Sequence, residues 1–554
     1  MKKQKFDLQL GAIFLGGLLF NFLFWDENFG LNLLLYSLFI LLVLFTDQKH
    51  YSNKKTMLVG ASHLLAALLV VYNQSDLSIV AYYISLVVFV GYAHAPLIRA
   101  TFTAIFAGFL QLLAAPFNLI VKLINVKIGN YSVKPILKPI KYIVIPVIVF
   151  FFFTVLYSNA NPVFENYLSQ FSTAIDEFFT GIFTFIFGDL SINRLLHLLL
   201  GILFTAGILL AFKESMIEKL EAKLPEDLIR KRNNSLLSTF AKEIKDILML
   251  VNNKKMALKT ENIVGIISFA ALNLLLLFLN LIDISTLWFG NLEHMADKNY
   301  SAELHDGTNA LIFSIVMAMA VILYFFNGNL NFFSKNKSLK MLAFLWIAQN
   351  AFLVCSVCLR DYQYIMMHGL TYKRIGVLVF LTLCSIGLAT VYFKVAKRKT
   401  FFFLYKTNGI SWYVLLLAFS FVNWDVVIVK YNIDNRKSIT LDLDHLVSMS
   451  DKTLPLLIEH KQMLRNYLPL SSYSVNYGID DSTAVEMPID TTTAKPVIID
   501  QQKLKSDTKT QEIAAFEKKL ANEVQRFISK WNSTSWLSWN YRDWQTHQYL
   551  EKSK

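Results

Sequence analysis

Cysteine is scarce in this chain. There are 3 in 554 residues, Cys355, Cys358 and Cys384, all inside long apolar runs. That excludes a disulfide framework for any extramembrane part. Charge is scarce too, at 17% of residues against about 25% in ordinary soluble proteins. With 11 Pro and 21 Gly, the chain is neither collagen-like nor a low-complexity disordered polymer. The sequence contains no H-E-x-x-H, no G-x-S-x-G and no G-x-x-x-x-G-K-S/T. It therefore lacks the signatures of a zincin, a serine hydrolase and a phosphate-loop nucleotidase. Cys355 and Cys358 have C-x-x-C spacing, but Ser356 and Val357 separate them in a Phe- and Leu-rich run. We read them as two small apolar side chains one turn apart, so no catalytic residue, cofactor or metal is expected.

What the chain has is apolar bulk: 55% hydrophobic residues, 46 of them Phe. That exceeds what one soluble core of about 250–300 residues can bury. A spanning helix needs about 20 apolar residues. The runs predict spans at 8–25, 30–46, 57–72, 77–93, 142–158, 195–211, 262–282, 308–326, 341–359, 375–393 and 410–429. The fold class expected is thus all-α and polytopic, with about eleven transmembrane helices. Ala100–Ile124 is apolar as well, yet Arg99 and Lys122, Lys127 and Lys134 flank it on both sides. A full crossing would put one basic flank outside, so this stretch is expected to be interfacial or re-entrant.

The net charge of +13 follows the same logic. Residues 430–554 hold 17 of the 53 basic and 16 of the 40 acidic residues, leaving 36 and 24 in residues 1–429. The excess lies in short loops beside spans, where the positive-inside rule explains it without nucleic acid. Lys2, Lys3 and Lys5, then Lys49, Lys54 and Lys55, mark cytoplasmic segments. The first helix has a basic start but no small-x-small cleavage site, so it is expected to stay uncleaved. The loop 159–193 is acidic and external, and 213–259 is basic and cytoplasmic. Within the latter, Glu214–Leu224 and Leu236–Val251 have helical spacing, broken at Pro225. Arg360, Lys373 and Arg374 break the rule, because they fall in an external loop.

Three regions follow: an N-terminal membrane region 1–141, a membrane core 142–429 and an external tail 430–554. In the tail, alternation over Ile439–Leu446 predicts a short strand, and Ser450 or Asp451 should cap a helix. About 480–500 reads as a linker. Ile513, Phe516, Leu520, Val524, Phe527 and Trp531 predict an amphipathic helix over about 511–531 that should dock on something.

Ionisable groups inside hydrocarbon need a reason. The candidates are His63, His94, His197, Asn273, Asn280 and Asn350, either a substrate or proton path or hydrogen-bonding glue between helices. A second set ends spans on the external side: His305, Asp306, Arg360, Asp361, His368, Arg374, Asn423 and Asp425. Carboxylates and guanidiniums at one rim would make a gate, a binding pocket or interhelical glue.

Ordered motifs add a resemblance. They are Asn161-Pro162, His305-Asp306-Gly307-Thr308-Asn309-Ala310-Leu311, Tyr364 with His368-Gly369-Leu370-Thr371 and Arg374, and Asn423-Trp424-Asp425. The tail adds Leu441-Asp442-Leu443-Asp444-His445-Leu446 and Trp536-Leu537-Ser538-Trp539-Asn540. Over about residues 150–545 the set resembles the bacterial membrane family called domain of unknown function 4173, and its relative 4153. That family usually has Tyr where His368 and His445 stand and Pro where Trp424 stands. The resemblance implies a bacterial inner-membrane protein with an external tail, and no reaction. The expected function is non-enzymatic envelope signalling or scaffolding, with the lipid bilayer and an envelope protein as partners. The alternative is a gradient-driven transporter or flippase.

Overall fold

A computed structural model describes residues 8–46, 53–124, 127–128, 131–132, 140–187, 192–210, 215–229, 258–289, 298–326, 328–437, 439, 441–467 and 501–553. The chain divides into two units. The first comprises Met1–Asn423 with Ser535–Asn540, the second Trp424–Thr534 with Tyr541–Lys554.

The first unit is built from helices α1 (Leu8–Phe24), α2 (Leu31–Phe45), α3 (Lys54–Asn73), α4 (Asp76–His94), α5 (Thr101–Leu113), α6 (Ala115–Ile124), α7 (Ile140–Ala160), α8 (Pro162–Phe187), α9 (Ile192–Leu209) and α10 (Ser215–Ala222), followed by α11 (Leu258–Asp283), α12 (Lys298–Phe325), α13 (Lys337–His368), α14 (Tyr372–Ala396) and α15 (Phe401–Ser420). A two-residue ladder, Lys127–Ile128 with Tyr131–Ser132, is the one sheet among the described residues. Side-chain caps set some starts. Asn53 accepts from the Lys55 N–H, and Ser75 and Ser78 form a reciprocal box at the start of α4.

Two large apolar clusters hold this unit, beside a small third one of Leu33, Ala67, Val70 and Tyr82. One joins α1–α6, α9 and α15 through Ile13, Tyr36, Phe89, Ala104, Ala206 and Leu417. The other joins α11–α14 through Phe269, Ile322, Phe326, Val357 and Leu381. α11 shows what solvent these helices meet. Its buried side carries Asn262, Asn273, Asn280 and Asp283, while Leu274 is 74% and Phe278 65% exposed. Polar groups inward and apolar groups outward is the pattern of a helix in lipid.

Among the described residues six helices are long and apolar enough to cross a membrane: α3, α4, α9, α11 (continued to Trp288), α13 and α14. The number rises to eight if α5 with α6, and α15 with Trp424–Asp434, each count as one span. The described residues do not confirm the expected eleven. α1 and α2 have 17 and 15 residues, and the apolar part of α12 is Asn309–Phe325. At 1.5 Å per residue the 15 residues of α2 rise about 22 Å, short of about 30 Å of hydrocarbon. The last expected span, 410–429, instead begins at Phe401 and is broken after Ser420. The α5–α6 stretch bends by 51° at Ala114. α5 lies close against α4, since a Cβ on Gly91 would strike the Ala104 carbonyl and one on Gly108 the Val87 carbonyl.

Connectivity sorts the unit's loops to two ends. At one end, turn 25–30 meets the six residues returned from the tail. Ser535 and Ser538 Oγ both donate to Glu27 Oε2 at 2.6 Å, the Leu31 N–H donates to the Trp539 carbonyl at 3.0 Å, and Asn540 Nδ2 donates to Gln74 Oε1 at 2.8 Å. Gly30 is required there, because a Cβ would collide with the Ser538 carbonyl. The opposite end gathers Lys55, Arg99, Lys399 and Lys406.

The second unit continues with α16 (Trp424–Asp434), α17 (Leu443–Val447), α18 (Leu454–Glu459), α19 (Lys461–Tyr467), α20 (Gln501–Ser533) and α21 (Tyr541–Lys552). The strand expected over Ile439–Leu446 is corrected. Asp442 accepts from the His445 N–H and starts a helical turn, which buries Leu443, Leu446 and Val447. Ser450 makes no side-chain cap. α20 contains the expected amphipathic helix and is longer at both ends; it buries Phe516, Leu520 and Phe527 against Leu446, Leu457 and Leu464. The linker 480–500 and the helix expected at 236–251 lie outside the described residues.

Candidate functional site

Four of the expected rim residues, Arg360, Asp361, His368 and Arg374, sit where α11 ends and α13 turns into α14. α11 carries Asp283 at its last position, and the π-helical turn Ile284–Trp288 continues the backbone. Arg360 of α13 donates through Nη2 to Asp283 Oδ1. Asp283 is fully buried, and the Arg360 side chain is 18% exposed. Around this pair Trp288 Nε1 donates to Ser356 Oγ at 3.2 Å, its ring stacks on Phe352 at 5.6 Å, and Gln363 Nε2 donates to the Leu287 carbonyl at 3.5 Å. Asp361 is the acidic neighbour of Arg360 in the sequence. Consecutive helical residues face about 100° apart, so Arg360 meets α11 and Asp361 does not.

Asp361, Tyr364 and His368 follow one another at helical spacing on another face of α13. Tyr364 and His368 stack with ring centres 4.4 Å apart. The chain turns at Gly369, with φ of 81°, a left-handed value that suits glycine. α14 then brings Arg374 over the Tyr364 ring at 4.4 Å, with its Nη1 donating to the Gly369 carbonyl. Asp361 is buried and acts on Arg374 electrostatically, and its Oδ2 has no hydrogen-bond partner among the described residues. Two carboxylates and two guanidiniums, drawn from α11, α13 and α14, thus offset each other near the α13–α14 turn.

The remaining candidates separate. His305 and Asp306 lie on α12, but their side chains are outside the described residues. Asn423 is buried and closes the first unit, whereas Asp425 belongs to the second. His63 is fully buried, with Nδ1 2.9 Å from Ser85 Oγ and its ring stacked on Phe89. His94 Nε2 lies 2.6 Å from the Ile208 carbonyl, and His197 Nδ1 lies 3.2 Å from Asn21 Oδ1. Asn273 donates to the Phe269 and Leu342 carbonyls and accepts from Gln349 Nε2 at 3.1 Å. Asn280 donates to the Gln349 carbonyl at 3.3 Å, and Asn350 to its own helix at Trp346. Most of these bonds tie one helix to the next, which is the glue reading.

Sequence reasoning missed three groups. Asp283 is the partner of Arg360 from 77 residues away. Lys394, 2% exposed, donates from Nζ to the Phe326 carbonyl just past the end of α12 at 2.7 Å. Glu27 holds the tail segment. Charge in an apolar run was a signal for the first two, but no spacing names a partner. Among the described residues no group of three or more His, Cys, Asp or Glu is placed to hold a metal ion, and Cys355, Cys358 and Cys384 are free thiols.

The family model described as Domain of unknown function (DUF4153) matches residues 36–460. No curated protein and no solved structure matches the chain.

Proposed function

We propose, from the premise that the chain belongs to the family Domain of unknown function (DUF4153), that it is a non-enzymatic scaffold of the bacterial inner membrane. Its basic end faces the cytoplasm, and the end that holds Ser535–Asn540 faces the envelope space. The ordered motifs around His368, Asn423 and Trp536 support a place near the related family 4173. One observation carries the scaffold reading. The tail's Ser535–Asn540 is built into the membrane unit by hydroxyl, amide and backbone bonds to Glu27, Gln74 and Leu31. A transport path would need free polar groups, and His94, His197 and Asn273 spend theirs between helices.

The test is proximity labelling from a tag at the C-terminus, in the native chain and in Gly30→Val with Glu27→Ala. The scaffold reading expects reproducible envelope neighbours around the native chain, and their loss when the clasp is broken while the protein still inserts. An unchanged neighbour set in the broken-clasp variant removes the observation's meaning. The second reading, gradient-driven transport, draws on Asp361, a buried carboxylate with an unbonded oxygen beside Arg374. It expects Asp361→Asn to abolish flux of a substrate and to leave the tail's neighbours intact.

A further inference from the structure

At the basic end, an acidic stretch of the chain sits on the cations that converge there. Glu226 Oε1 is 2.7 Å from Lys406 Nζ and 3.7 Å from the Arg99 guanidinium, and Asp227 Oδ1 is 2.5 Å from Lys399 Nζ. Backbone bonds stitch the same contact. The Thr400 N–H donates to the Glu226 carbonyl and the Leu228 N–H to the Arg398 carbonyl, both at 2.9 Å. The hydrogen bond from Lys406 holds the Glu226 carboxyl below its ordinary value, against the opposing effect of burial. One turn earlier, Glu221 Oε1 accepts from the Arg99 and Ala100 N–H groups at 2.8 Å, and Glu218 accepts from Leu97 at 3.0 Å. The entry to α5 is therefore capped by carboxylates from a segment some 120 residues further along the chain, where a helix leaves N–H groups open and favours negative charge.

We propose that Arg99, Lys399 and Lys406 form a cradle for an anionic phosphate group, and that Glu226 and Asp227 occupy it as a latch. Two carboxylates against three cations leave the cradle one positive charge in excess. Arg99 Nε is buried without a partner among the described residues, a spare donor. Guanidinium and ammonium groups that pair with carboxylates also take phosphate oxygens, guanidinium in a two-pronged manner. The latch pairs are accessible to solvent, with Glu226 and Lys406 each 31% and Asp227 68% exposed, so they are screened and individually weak. Lys399 and Lys406 stand at the junction of α14 and α15 and Arg99 just before α5, at helix ends where lipid headgroups lie. When phosphate takes the cradle, residues 218–228 lift and α5 loses its cap.

The test uses the full chain in nanodiscs of phosphatidylcholine alone or with phosphatidylglycerol, and reads amide hydrogen exchange over residues 97–104. The proposal expects several-fold faster exchange with phosphatidylglycerol. Glu226→Gln with Asp227→Asn should exchange fast already in phosphatidylcholine, and Lys399→Gln with Lys406→Gln should exchange fast without responding to lipid. If the acidic double variant does not fold, Asp227→Asn alone serves, since that side chain is largely exposed. Inorganic phosphate added to phosphatidylcholine discs, matched in ionic strength with chloride, separates the sources. Acceleration by phosphate but not by phosphatidylglycerol makes a soluble phosphate compound the ligand; the reverse makes it a headgroup. Equal exchange in every condition, or a lipid response kept in the lysine variant, overturns the proposal.

Discussion

Arg360 sits near the end of a 32-residue helix whose other positions are largely apolar, and Asp283 is sealed from solvent opposite it. Removing one member of a buried ion pair leaves the other charge uncompensated, which costs about 3–5 kcal/mol. Replacing both by apolar residues of similar volume is often neutral. We therefore expect Arg360→Ala or Asp283→Ala to lower the unfolding midpoint of the detergent-purified chain markedly, and Asp283→Leu with Arg360→Met to restore most of it. A double-mutant cycle measures the difference. Single changes within about 0.5 kcal/mol of the native chain would mean that water already shares the pair. The same comparison shows what a lone residue reveals in sequence. A charge in an apolar run announces that it needs a partner, but Arg360 had an acid next to it in the chain and used one 77 positions away.

Among the elements, α20 is the clearest case of a helix whose existence was legible and whose docking was not. Its apolar residues at spacings of three and four fix one face, and that face meets α17–α19. The charged rim around the face is a matter of tertiary placement. Arg526 Nη2 and Lys530 Nζ reach Asp451 at 3.1 and 3.0 Å, and Lys519 reaches Asp444 at 2.8 Å. Burial opposes ionisation of Asp451, yet Lys530 and Arg526 overcome it and hold its carboxyl below the usual value. A carboxyl depressed in the folded state adds stability that is present above the unfolded pKa of about 3.9 and is lost as pH falls through the folded value. Asp451→Asn should therefore speed hydrogen exchange in α18 and α20 at neutral pH. Its effect should vanish once the pH is well below about 3.9, where the native side chain is protonated as well. Both partners are about half exposed or more, so the difference is expected to be about 1 kcal/mol or less. The strand expected at Ile439–Leu446 failed for a local reason. Its alternation competed with Asp442, a residue type that caps helical turns, and the cap won.

For the whole molecule, the sequence made the membrane class and the two-ended charge pattern plain, because both depend on composition and loop charge alone. The span count was less legible. The apolar run of α2 satisfies a hydropathy reading, yet its 15-residue helix is shorter than the hydrocarbon. The candidate site was half legible: polar types at span ends were visible, while the pairing of Arg360 with Asp283 and of Arg374 with the Tyr364 ring depended on helix rotation. Topology offers the decisive global measurement, and α5–α6 is where to make it. Arg99, before α5, contacts Glu221 and Glu226 at the basic end. Lys122, at the close of α6, donates to Gln9 Oε1 at 3.0 Å, and Gln9 itself donates to the Leu209 carbonyl. Gln9 opens α1 and Leu209 closes α9, and both belong to that same end. Both flanks of the bent stretch should therefore face one side, which a 51° bend at the membrane surface accommodates and a crossing does not. With the native cysteines replaced, single cysteines at Leu97 and at Lys127 should react with a membrane-impermeant maleimide from the side that labels Lys54, and one at Asn28 from the opposite side. Labelling of Lys127 together with Asn28 would turn α5–α6 into a broken span, raise the number of crossings by one and reverse the expected side of every loop between it and the next span.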